Sequence, residues 1–130
     1  MIVVDSSALL AIAFDEPEKI SFAADIVTSL RPRMGAPNLL EASIVIENRR
    51  GEAGCRELDE LVESLGIEIV PFDARHIGES RRAFRLYGKG RHRAALNFGD
   101  CCAYALARSL GMPLLFKGDD FSLTDVERVR

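Results

Sequence analysis

The sequence has no stretch near the roughly 18 consecutive apolar residues of a membrane helix, so no segment is expected to cross a bilayer. It has no excess of positive charge. The net charge is −3, whereas a nucleic-acid-binding domain is usually basic. A local basic patch beside an acidic site remains compatible with that balance. Cysteine is scarce, with three residues, Cys55, Cys101 and Cys102. Adjacent cysteines rarely bridge each other, an odd count leaves one unpaired, and no Cys-x-x-Cys spacing marks zinc. All three are expected to be reduced, mostly buried thiols in a cytosolic protein. The opening Met1-Ile2-Val3-Val4-Asp5 lacks a basic leader and meets an acid at once, which argues against a secretory signal. Internal repeats, linkers and low-complexity segments are lacking too.

What is present suits one domain. The chain has 130 residues, 48% of them apolar and 28% charged, enough to close a single core and too patterned for disorder. Ile2-Val3-Val4 reads as a buried strand. Ser6 and Ser7 then offer an N-cap for an apolar helix through Phe14. Pro17 opens a helix to about Leu30, with Ile20, Ala23, Ala24, Val27 and Leu30 on one face. Met34-Gly35-Ala36 reads as a short strand. Pro37-Asn38 starts a helix through Arg49 that Gly51 closes, and another helix runs from about Cys55 to Leu65. Ile67 to Phe72 alternates as a strand. Asp73 caps a helix to about Tyr87, followed by the basic loop Gly88-Lys89-Gly90-Arg91-His92-Arg93. Gly99-Asp100 opens a helix through Leu110. Leu114-Leu115-Phe116 is a buried strand, Gly118-Asp119-Asp120 leaves it, and Val126 to Val129 forms a short edge strand. Strands alternating with helices imply an α/β fold, a mostly parallel sheet covered on both faces.

Ligands of open parallel sheets bind outside the carboxyl ends of the strands. Asp5 ends one strand, Asp119 and Asp120 follow another, and Glu41 and Asp100 lie in first turns of helices that start near the same edge. Each acid has an ordinary structural explanation. Asp5 begins a turn, Glu41 stands three residues after Asn38 like a capping box, Asp100 suits a helix dipole, and Asp119 and Asp120 are loop acids. Their shared placement is the informative part. Converging carboxylates repel and hold protons unless a cation intervenes. Carboxylate and water ligands suit Mg²⁺ or Mn²⁺, and the lack of a Cys/His cluster argues against zinc.

Four blocks carry a resemblance: Val4-Asp5-Ser6-Ser7-Ala8-Leu9, Pro37-Asn38-Leu39-Leu40-Glu41-Ala42, Leu96 through Ala107, and Leu114-Leu115-Phe116-Lys117-Gly118-Asp119-Asp120-Phe121. Together they resemble the PIN domain, and more closely the VapC toxins of bacterial toxin–antitoxin pairs. The resemblance covers essentially the whole chain, and the Asn97-to-Ala107 block is its most specific segment. It implies a three-layer PIN-like fold over residues 1–130 and a Mg²⁺-dependent endoribonuclease, held inactive by a VapB-type antitoxin in the cytoplasm. Asp5, Glu41 and Asp100 fall on the family's metal-site acids, Asp5 and Asp100 as primary metal ligands, and Ser7 on its small hydroxyl position. Many relatives carry an acid where this chain has Gly118, so the fourth acid is Asp119 or Asp120. Register with Phe121 favours Asp120, with Asp119 in support. Family precedent also implies a 5′-phosphate and a 3′-hydroxyl product. It places an antitoxin groove and a homodimer contact on apolar faces of the first, second and fourth helices.

An acidic pocket repels phosphate unless cations surround it. Arg81, Arg82, Arg85, Lys89, Arg91, His92 and Arg93 form the densest basic cluster, and Lys117 lies beside the last strand. Arg91, Arg93 and Lys117 are the candidate RNA-backbone contacts. Tyr87 and Tyr104 read as packing residues. Two other functional classes compete. A phosphoacceptor receiver wants paired acids after its first strand, where this chain has Asp-Ser-Ser. A catalytically silent PIN scaffold that binds RNA or protein is opposed by the retained Asp5, Glu41 and Asp100.

Overall fold

The computed structural model describes residues 1–129. Four short strands, β1 (Val3–Val4), β2 (Arg33–Gly35), β3 (Glu68–Val70) and β4 (Leu114–Leu115), form one sheet in the order β3-β2-β1-β4. Every pairing is parallel. The helices are α1 (Ser6–Ala13), α2 (Lys19–Thr28), α3 (Ala36–Ser64), α4 (Ala74–Tyr87) and α5 (Phe98–Leu110), and a 3-10 helix covers Asp120–Leu123.

Side chains of a strand alternate between the two faces of a sheet, and here that alternation builds three layers. Val4 and Leu115 join Leu9, Ile12, Ile26, Met34, Ile46 and Leu58 in a core against α1, α2 and α3. Val3 and Leu114 join Leu96, Tyr104, Leu106 and Phe116 in a second core against α4 and α5. Both faces of β1 are therefore dry, as a central parallel strand requires. The expected α/β three-layer fold is the observed one. Because all strands run the same way, Val4 and Leu115 deliver the chain to one common edge.

Several local expectations differ from the structure. The N-cap of α1 is Asp5, whose carboxylate accepts from the Ser7 backbone N–H, so the serines themselves do not cap. The N-cap of α3 is Gly35, with Pro37 in the first turn. Asn38 therefore sits inside the helix, and the capping-box explanation of Glu41 fails. Gly51 breaks the helix as expected, with φ 67°, but the helix resumes at once rather than at Cys55. The second helix is shorter than expected and buries Phe22 and Ile26. Ile20, Val27 and Leu30 are 83%, 59% and 73% exposed. Its apolar stripe is wider than one contact can cover, and the bulky Phe22 takes the inward place. The helix face at Leu58 and Val62 and that of α1 are buried, so the surplus apolar surface lies instead on α2, early α3 and α4. The 126–129 segment is no full strand: it touches the sheet through a parallel bridge of Leu114 with Arg128. All three cysteines are free, Cys101 and Cys102 buried and Cys55 partly so. Among the described residues no helix is long and apolar enough to cross a membrane.

Candidate active site

Asp5 leaves β1 at the common edge. Its N–H donates to the Leu115 carbonyl over 2.9 Å, tying it to the end of β4. One carboxylate oxygen, Oδ2, accepts from the Ser7 N–H at 3.0 Å and the Ser7 hydroxyl at 2.6 Å. That hydroxyl accepts in turn from the Lys117 backbone N–H at 3.0 Å. Ser7 thus fixes the carboxylate rotamer and links the β1 and β4 exits. The other oxygen, Oδ1, is buried without a hydrogen-bond partner among the described residues. Burial, opposed by the Ser7 hydrogen bonds and reinforced by the charges of Asp100 and Glu41, pushes the Asp5 carboxyl up to about 7. A buried carboxylate oxygen that nothing satisfies costs stability, and a bound cation removes that cost.

Asp100 comes from the first turn of α5. Asn97 caps this helix, and the pair closes a capping box: the Asp100 N–H donates to the Asn97 side chain at 2.9 Å, and the Asn97 N–H donates to Asp100 Oδ2 at 3.1 Å. Capping thus accounts for part of Asp100, but its second feature is electrostatic. Burial, then the charges of Asp120 and Glu41, raise its carboxyl to about 6 against the Asn97 hydrogen bond. Glu41 stands in the second turn of α3, where the Ser6 hydroxyl donates to it. Ser6 is a site neighbour that sequence reasoning assigned only to a cap. Its signal was its place beside Asp5.

Asp120 opens the 3-10 helix, while Asp119 flanks it without a side-chain capping bond. Gly118, at φ 98°, makes the turn that aims them, a backbone angle other residues avoid. Phe121 anchors the segment against Phe116, ring centroids 5.1 Å apart. The structure therefore brings Asp5, Glu41 and Asp100 within electrostatic reach of one another, and Asp120 within reach of Asp100, with Asp119 next to it in the chain. Among the described residues, no three His, Cys, Asp or Glu side chains stand close enough to grip a metal directly. Mg²⁺ keeps several waters and takes one or two carboxylates, so Asp5 and Asp100 with water suit it without such a cage. The donor set and the orphaned Asp5 oxygen fit a hard divalent cation.

The basic residues divide. Lys117 pairs with Glu16 at 3.1 Å and Glu18 at 3.5 Å, so an RNA phosphate would have to compete with two carboxylates for it. The Arg91 guanidinium lies 5.0 Å from the Phe84 ring centroid, and Arg93 is exposed in the following loop. A groove of about 760 Å³ is lined by Arg81, Arg85, Lys89 and Arg91 together with Phe72 and Phe98. A second groove, about 590 Å³, holds Glu41 and shares Phe72 and Phe98 with the first. The carboxylate edge therefore continues into the basic surface. Phe98, 77% exposed, was not singled out from sequence; a large aromatic at a helix start was its signal. Tyr104 is fully buried and donates to Asp125, a packing role as expected.

The PIN domain family profile matches residues 2–127. A curated relative, Ribonuclease VapC of Mycolicibacterium smegmatis, is 48% identical over 127 residues, covering 98% of each chain. Among solved structures, VapC20 of Mycobacterium tuberculosis, a toxin that cleaves the sarcin–ricin loop, superposes with a TM-score of 0.80 at 16% identity, covering 100% of this chain and 99% of that one. VapBC2 of Rickettsia felis, bound to a DNA fragment from its promoter, gives 0.74 at 16% identity over 98% and 96%. The likeness to the solved structures speaks for the fold, and the curated relative for the branch: this chain belongs to the PIN-domain family, among the VapC ribonucleases.

Proposed function

We propose that the chain is a Mg²⁺-dependent endoribonuclease, with Mn²⁺ as a substitute, and the toxin of a VapBC-type pair acting in the cytoplasm. The observation that carries this reading is the buried, unpartnered Oδ1 of Asp5 amid the charges of Asp100 and Glu41. Asp5 and Asp100 hold the cation, and Ser7 keeps the Asp5 carboxylate turned toward it. When bound, the cation supplies positive charge against the scissile phosphate and lowers the cost of deprotonating water. Glu41 orients the attacking water and accepts its proton. A new bond forms from water oxygen to phosphorus, and the bond from phosphorus to the 3′ oxygen breaks. The products carry a 5′-phosphate and a 3′-hydroxyl, whose proton comes from solvent. Asp120 completes the acidic wall beside Asp100. Arg91, with Arg81, Arg85 and Lys89 of the basic groove, and Arg93 of the adjoining loop take the flanking phosphates, joined by Lys117 where a phosphate displaces Glu16 and Glu18.

The relatives' names support the ribonuclease reading, and the Rickettsia structure supports a VapB-type antitoxin as partner. The exposed Ile20, Val27 and Leu30 on α2, and Leu40 and Ile44 on α3, supply apolar surface for that partner and for a homodimer contact. Incubating the purified protein with single-stranded RNA tests the activity. Cleavage with Mg²⁺ and none with EDTA is the expected result. Binding without cleavage in Mg²⁺ would instead favour a silent scaffold.

A further inference from the structure

The geometry points to Gly99 as the positioning residue that seats the Glu41 carboxylate, an inference that rests on the ribonuclease reading above. Gly99 is buried in the first turn of α5, immediately before Asp100. A Cβ built on it would lie 2.3 Å from Glu41 Oε2, 2.5 Å from Oε1 and 2.6 Å from Cδ. The whole carboxylate of Glu41 therefore rests on the bare α-carbon of residue 99. One of those oxygens, Oε1, also accepts from the Ser6 hydroxyl, so the carboxylate is held by a hydroxyl as well as seated on a backbone.

Two features decide which partner yields if the seat is filled. The α5 start is pinned. The Asn38 amide, 1% exposed, donates to the Gly99 carbonyl over 3.0 Å, and the Asn97–Asp100 capping box closes the same turn. Glu41, in contrast, is partly exposed and borders the 590 Å³ groove into which it can swing. A methyl at residue 99 thus displaces the far end of a flexible side chain rather than the backbone. Gly99 does not occupy the left-handed region, so alanine suits its φ and favours the helix. The substitution separates seating from folding.

The test compares wild type, Gly99→Ala, Glu41→Asp and the double variant by thermal melting over a Mg²⁺ titration, and by RNA cleavage. Gly99→Ala should melt like wild type without metal, yet require about tenfold or more Mg²⁺ for its metal-dependent melting shift, with a similar loss of cleavage. In the Gly99→Ala background, Glu41→Asp should recover part of both, because the shorter side chain clears the methyl. Should Gly99→Ala melt far below wild type, adding Glu41→Ala distinguishes the causes: restored melting supports the seat, and unrestored melting overturns it. Wild-type Mg²⁺ affinity and cleavage in Gly99→Ala would also overturn it, as would losses in the double variant that merely multiply. A wild type that neither shifts with Mg²⁺ nor cuts RNA is a different result, because it removes the reading under which Glu41 works.

Discussion

Without a cation, the Asp5 carboxyl keeps its proton up to about pH 7 because burial leaves its anion unsolvated and Asp100 and Glu41 add like charge. Its unfolded value is 3.8, so between these two pH values the folded state binds more protons than the unfolded one. Stability then falls as pH rises through that window, and the loss is complete above it. The shift corresponds to a penalty on the order of 4 kcal/mol at most. Asp5→Asn removes the ionisation. The variant is expected to melt higher than wild type at pH 8 without metal, to match it more closely at pH 4, and to cut no RNA. Melting curves at the two pH values check the first two points, and unaltered cleavage would show that Asp5 holds no metal. At the same scale, Asp120 raises the Asp100 carboxyl, whereas Asp119 only flanks the 3-10 helix. Asp120→Asn is expected to reduce Mg²⁺-dependent cleavage roughly tenfold or more, and Asp119→Asn much less. Rates for both folded variants over a Mg²⁺ titration decide it; the larger loss in Asp119→Asn would reverse the assignment.

At the scale of elements, sequence patterns located nearly every helix but misjudged how some of them begin. Asp73 announced the α4 start because capping chemistry is local. The start of α3 was misread because Asn38 resembles a cap, while its amide reaches a carbonyl 61 residues away. No local pattern encodes that partner. On α2 the stripe Ile20, Val27 and Leu30 is a valid helical face, yet periodicity does not say which apolar face meets the core. Lys117 was legible as a cation beside the last strand, but its Glu16 and Glu18 partners arise only once the α1–α2 turn packs there. Of the basic segment from Arg81 to Arg93, Arg81, Arg85, Lys89 and Arg91 line a groove, and Arg93 is exposed in the adjoining loop. Replacing Arg91 and Arg93 with glutamine is therefore expected to weaken RNA binding similarly across sequences. The log–log salt slope should flatten by about 0.7 for each phosphate that the variant no longer neutralises. Binding isotherms at several salt concentrations measure this, and an unchanged slope would return the loop to an ordinary solvated surface.

At the scale of the whole molecule, the acids were legible because their placement follows from topology. Parallel strands send Asp5 and the 119–120 pair to one edge, and helices that return antiparallel start there, which brings in Asp100 and Glu41. What topology left open was detail: the orphaned oxygen of Asp5, the Ser6 contact to Glu41 and the groove shared through Phe98. If these carboxylates hold a cation for water attack on an RNA phosphodiester, the cut ends carry the signature of that attack, and end-group analysis of the cleavage products reads it. With Mg²⁺, the wild type is expected to leave 5′-phosphate and 3′-hydroxyl ends, and with EDTA no cleavage at all. Products ending in 2′,3′-cyclic phosphate, or cleavage that persists in EDTA, would mean that the RNA's own 2′-hydroxyl attacks without a metal, and would contradict the proposed chemistry.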